Sequence, residues 1–178
     1  MKSPIESLLE DDHASLDQLL TELDAQLIKP NIVGAFDLLD LFWARLAMHI
    51  RAENLHLFPA LANAPAHHFA GNAGLPKAEE AQEILLRLRS DHDFFMKELA
   101  HMIKAAREAR ADQERGREAA AEFRKRLAVI RQRLETHNRL EETQVYCWPA
   151  LLFDDQKAAE LCDGVKRELE TLPPRFTT

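Results

Sequence analysis

Four long stretches of this chain repeat an apolar residue every three or four positions, and each stripe is interrupted by a histidine. The first reads Ile5, Leu9, His13, Leu16, Leu20, Leu23, Leu27, and the second Leu39, Phe42, Leu46, His49, Glu53, His56, Ala60. The third reads Ala81, Leu85, Leu88, His92, Phe95, Leu99, Met102, and the fourth Phe123, Leu127, Ile130, Leu134, His137, Glu141, Val145. Steps of three and four place side chains on one face of an α-helix, so each stretch predicts a helix with one buried face. The fold class is all-α.

Punctuation sets the boundaries. Ser3 followed by Pro4 offers a capping hydroxyl and a preset φ, and that helix should run to Pro30. The second should begin after Asn31 and end near Asn63, with Pro65, Gly71, Gly74 and Pro76 marking a loop. A third helix starts at Lys77 and fades toward a turn between Asp112 and Gly116, and Pro149 stops the fourth. A shorter helix from about Asp154 to Leu172 should pack outside. Four such helices with short connections predict an up-down-up-down four-helix bundle over about residues 4–148, inside one domain spanning 1–178.

Composition agrees where it bears on this. The chain has 178 residues with 46% hydrophobic content, enough for a sizeable core, and only five glycines. A net charge of -7 argues against nucleic acid as a partner. The basic residues Lys104, Arg107, Arg110, Arg115, Arg117, Arg124, Lys125, Arg126, Arg131 and Arg133 are interleaved with Glu108, Glu114, Glu118 and Glu122, which reads as a solvated helical surface. Two cysteines and no signal segment point to a reducing cytoplasm, and no apolar run is long enough to span a bilayer.

The histidines carry the chemistry. Neighbouring antiparallel helices meet at their turn, so equal residue counts from a turn mean equal height. His13 lies seventeen residues before Pro30 and His49 eighteen after Asn31; His92 lies twenty before Asp112 and His137 twenty-one after Gly116. All four fall in one layer to within about one turn. His49-x-x-x-Glu53 and His137-x-x-x-Glu141 add a carboxylate one turn along two of the helices. Four imidazoles and two carboxylates inside an apolar bundle are costly without a shared cation, and two carboxylates bridging under four nitrogens fit two metals. Such donors suit iron, and manganese or zinc can take the same set.

Taken in order, His13, His49-x-x-x-Glu53, His92 and His137-x-x-x-Glu141 resemble the His-His-Glu cation-binding pattern of the hemerythrin-like family. Phe58-Pro59 after the first pair, and His137-Asn138 with Glu141-Glu142, are similar to its flanking motifs. The resemblance covers about residues 5 to 150. It implies a four-helix bundle with an oxo- or hydroxo-bridged di-iron centre held by His13, His49, Glu53, His92, His137 and Glu141. Leu88 and Met96 stand four positions either side of His92, where the invertebrate oxygen carriers have a second histidine on one side. The set looks more like bacterial iron-centre repair proteins of nitrosative stress and iron-sensing domains, although the cysteine-bearing N-terminal domain of many repair proteins is not expected here.

Other residues have plainer readings. Glu142 competes with Glu141 for the fourth-helix carboxylate, and Glu141 is favoured because it lies on the stripe. Glu10 reads as a solvent-facing residue and His56 as a hydrogen-bonded core histidine at the end of the bundle holding Glu6 and Gln144. His67, His68 and His101 lie off the layer, and Tyr146, Cys147 and Trp148 read as packing where the helix ends. The ferritin-like pattern is set aside because its Glu-x-x-His spacing falls on adjacent antiparallel helices. The leading expectation is a di-iron protein that binds or reacts with oxygen, nitric oxide or peroxide, as a monomer or homodimer. The alternatives are iron donation to damaged iron-sulfur centres, and a structural metal-binding bundle without redox chemistry.

Overall fold

The computed structural model describes residues 2–28, 32–70, 72, 74–109, 113–171, 173 and 176, without the side chains of 32, 33 and 113–119. It is all-helical, with no strand among the described residues. Helix α1 (Pro4–Ile28) opens with a reciprocal cap, in which Ser3 N donates to Glu6 Oε2 at 2.6 Å and Glu6 N to Ser3 Oγ at 3.4 Å. Its buried residues are Ile5, Leu9, His13, Leu16, Leu20, Leu23 and Leu27, the stripe read from sequence.

Helix α2 (Ile32–Ala52) does not end where α geometry ends. It passes through one π-helical turn, Glu53–Leu57, into α3 (Phe58–Ala62), with Phe58 N–H donating to Glu53 O. The extra residue shifts the buried face by one place. His56 and Ala60, expected on the stripe, are half-buried, while Leu57, Phe58 and Leu61 are buried instead. The segment after Pro65 is a short helix, α4 (Ala66–Phe69), rather than loop throughout, and Phe69 packs edge-on against Trp148.

Helix α5 (Ala78–Ala109) buries the whole predicted stripe from Ala81 to Met102 and adds Asp91, Ile103 and Ala106. Gly116, expected in the turn, already lies within α6 (Gln113–Leu140); Asp112, like Pro30 and Asn31, lies outside the described residues. A second π turn, Glu141–Val145, follows α6, with Tyr146 N–H donating to Glu141 O at 2.9 Å. Pro149 does not stop the chain's helical path. It sits in the first turn of α7 (Trp148–Leu152), where its missing N–H is harmless.

Helices α1, α2, α5 and α6 pack in a closed cycle, each against the next, as a helical bundle. The His/Glu layer divides the core. One apolar cluster runs from Leu16 and Phe42 through Phe95 to Leu134; the other gathers Leu9, Leu57, Phe58, Leu88, Tyr146 and Trp148. Helix α8 (Asp155–Leu169), capped by Asp154 accepting from Lys157 N at 2.8 Å, lies along α1 and α2 and buries Leu161, Gly164 and Val165. Leu172, the expected end, is outside the described residues.

Gly164 is where α8 comes closest to the bundle. A Cβ there would stand 2.9 Å from His56 Nδ1 and 3.3 Å from two ring carbons. Gly164→Val should therefore push α8 away and lower stability by about 1–3 kcal/mol, read as the chemical-denaturation midpoint. Metal content should not change, because α8 supplies none of the six His and Glu side chains of the layer; unchanged stability would show that the helix does not seat on His56.

Candidate metal centre

Six side chains meet in the layer that separates the two apolar clusters: His13, His49, Glu53, His92, His137 and Glu141, each 0–3% exposed. The structure brings together every residue expected from sequence. His13 Nε2 and His49 Nε2 are 3.1 Å apart, and His92 Nε2 and His137 Nε2 are 3.2 Å apart. Glu53 Oε2 stands 3.5 Å from His49 Nε2 and 3.1 Å from His92 Nε2, so it faces both pairs. Glu141 does the same, with Oε2 3.5 Å from His13 Nε2 and Oε1 3.1 Å from His137 Nε2.

The outward nitrogens explain the inward ones. His13 Nδ1 lies 2.7 Å from Glu142 Oε1, His49 Nδ1 3.0 Å from Asp12 Oδ2, His92 Nδ1 3.3 Å from Asn54 Oδ1, and His137 Nδ1 3.3 Å from Asp91 Oδ2. Each of these oxygens accepts, so each Nδ1 carries the proton and each Nε2 presents a lone pair to the centre. The two aspartates are themselves held by arginines, Arg45 Nη2 on Asp12 Oδ1 at 2.6 Å and Arg133 Nε on Asp91 Oδ1 at 2.7 Å.

This support repeats. Asp12-His13 with Arg45-x-x-x-His49-x-x-x-Glu53 on α1 and α2 matches Asp91-His92 with Arg133-x-x-x-His137-x-x-x-Glu141 on α5 and α6. In each hairpin the aspartate holds the partner helix's histidine, and the residue after the glutamate reaches across to the other hairpin: Asn54 to His92, Glu142 to His13. Five residues past each glutamate, at the end of each π turn, an aromatic ring lies against a histidine. Phe58 stacks on His92 at 5.5 Å, and Tyr146 tilts over His13 at 5.6 Å.

Sequence reasoning missed Tyr146. Its hydroxyl donates toward Glu53 Oε1 at 2.8 Å and reaches Glu141 Oε2 at 3.2 Å, inside the layer. In α geometry a residue five positions on points away from Glu141; the π turn brings it to the same side, which a 3.6-residue period cannot anticipate. The Asp-His and Arg-x-x-x-His repeats were the available signal for Asp12, Asp91, Arg45 and Arg133. Glu142 supports His13 from outside, Glu10 pairs with Lys2, and His56 turns to α8, its Nε2 3.8 Å from Glu168. His67, His68 and His101 are exposed and apart from the layer.

The donor set fits metal cations. Glu53 Oε2 and Glu141 Oε1 are buried with no hydrogen-bond donor, and no Lys or Arg pairs with either glutamate among the described residues. Burying two carboxylates with no compensating charge costs several kcal/mol each. Carboxylate oxygens and nitrogen lone pairs 3.1 Å apart repel one another unless a proton or metal lies between. The donors form two groups, Glu53, His92, His137 and Glu141 in one and His13, His49 and Glu141 in the other, sharing Glu141. The family model described as Hemerythrin HHE cation binding domain matches residues 5–148. The chain belongs to this family. Neither a curated protein nor a solved structure matches the chain. Hemerythrin HHE domains bind metal cations, and the His/Glu cluster of this one can hold them.

Without metal, protons must take over the cation's role. Burial works against the charged His137, but the nearby Glu141 carboxylate and the bond to Asp91 outweigh it and push the imidazole up from 6.5 to about 9. Burial likewise opposes the charge on His49, which Glu53 and Asp12 nonetheless hold well above its ordinary value. Glu53 and Glu141, despite burial, are held below the carboxylate range by the histidines. The raised histidines stabilise the metal-free fold fully below their unfolded value of about 6.5, and the His137 contribution is lost as pH climbs through about 9. The depressed glutamates contribute above about 4.5 and lose it on acidification. Metal-free protein should thus be most stable at about pH 5–6.5 and lose several degrees of Tm by about pH 9.5, whereas metal-loaded protein should hold its Tm across that alkaline interval. Parallel thermal melts of the two forms check this; a flat metal-free profile would contradict it.

Proposed function

We propose that this protein holds two iron ions between His13, His49, Glu53, His92, His137 and Glu141, and binds or reacts with oxygen, nitric oxide or peroxide there. The observation that carries this is the convergence of four Nε2 lone pairs and two carboxylates on one buried layer, two of whose oxygens have no donor. Mixed nitrogen and carboxylate donors suit iron, although manganese or zinc can occupy the same set. A pair of irons would supply a redox-active, Lewis-acidic centre for a small oxidant.

The chain's own residues favour a small ligand. With the six side chains 0–3% exposed and walled by Phe58, Phe95, Leu9 and Leu88, only a molecule of a few atoms reaches the layer without unpacking the core. The aspartates and arginines behind His49 and His137 fix the tautomer and hold the rings in place, so the donors are ordered before any ligand arrives. On the same reading, residues 1–178 form one domain whose four long helices run up-down-up-down, supported by their closed cycle of packing.

Elemental mass spectrometry on protein purified without added metal should find about two irons per chain, with at least tenfold loss in His92→Ala and Glu141→Ala, as ligand deletions in a shared site imply. Exposing the ferrous protein to oxygen, nitric oxide or peroxide should change its near-ultraviolet absorption. Zinc alone, or no metal, would sink the di-iron proposal.

A further inference from the structure

On the two-metal reading given above, we infer that Tyr146 ligates the metal at the His13–His49 position, so that the two positions are chemically different. Donors held about 2.0–2.2 Å from a shared ion stand about 2.9 Å apart at right angles and about 3.5 Å apart at the tetrahedral angle. Tyr146 Oη lies 2.8 Å from Glu53 Oε1, 3.1 Å from His13 Nε2, 3.2 Å from Glu141 Oε2 and 3.5 Å from His49 Nε2. The pair His13 Nε2 and His49 Nε2 is 3.1 Å apart, and His13 Nε2 is 3.5 Å from Glu141 Oε2. The hydroxyl oxygen therefore takes a vertex of the same donor polyhedron.

Packing alone does not account for it. The hydroxyl has one proton, which its shortest contact directs at Glu53. Its oxygen then faces Nε2 of His13 and of His49, which in the metal-loaded protein present lone pairs because their single protons are held outward by Glu142 and Asp12. An oxygen pressed between two nitrogen lone pairs in a fully buried site is stabilised by a cation among them. The equivalent place in the other hairpin shows what packing requires: Phe58, with no donor atom, stacks on His92. The asymmetry leaves the His92–His137 position, beside Phe58, without a side-chain oxygen in the place that Tyr146 takes at the other. Coordination breaks the phenol O–H bond, forms an oxygen–metal bond and releases the proton to solvent.

Tyr146 is the chain's one tyrosine, so ring-deuterated tyrosine labels this side chain alone. Iron(III)-loaded wild-type protein should show a visible phenolate-to-iron charge-transfer band, with resonance Raman phenolate modes that shift on deuteration. Tyr146→Phe should abolish band and modes while retaining at least one iron per chain. Iron-loaded wild type with no such band, or with modes that do not shift on deuteration, would overturn the assignment while leaving the two-metal reading intact. A wild-type chain that takes up no iron would instead remove the reading on which it rests.

Discussion

Two imidazole nitrogens that face each other at 3.1 or 3.2 Å with their protons held elsewhere repel, and this fold builds that contact twice and adds two carboxylates between the pairs. Apolar packing above and below the layer supplies the free energy that keeps so many like groups together. The remaining features follow from that constraint. Each Nδ1 needs an acceptor to orient the ring, each acceptor needs an anchor, and the layer as a whole needs a positive charge from metal or from protons.

The solution is built from one pattern used in two hairpins. An aspartate beside the histidine of α1 or α5 braces the histidine of the following long helix, and an arginine one turn before that histidine braces the aspartate. The residue after each glutamate ties the hairpins together by accepting from the opposite one. A substitution at Asp12 or Asp91 thus acts on the centre through a ring it orients. Where the hairpins differ, Tyr146 against Phe58 and Glu142 against Asn54, the hydroxyl and the extra negative charge both fall on the His13–His49 side.

Both glutamates begin a π turn. The extra residue widens the helix at the carboxylate and brings the side chain five positions on over a histidine ring. It also re-phases the helix beyond it, which is why His56 leaves the expected stripe and packs against α8 while Leu57, Phe58 and Leu61 take the core.

The sequence by itself determined the four long helices, their buried faces as far as the two glutamates, and the six side chains that meet in the layer, because burial at a 3.6-residue period is local and a histidine on an apolar stripe is conspicuous within one helix. Height counting placed the donors in one layer because helix rise is constant. Tertiary structure decided what depends on neighbours from elsewhere in the chain. Asp12 and Asp91 sit one position before a histidine, off the stripe, and acquire their role only from the ring of the adjoining helix. Tyr146 enters the layer only because a π turn breaks the period from which its direction would be read. The π turns themselves have no periodic signature: one added residue per turn leaves both apolar stripes intact and changes only the angle between them.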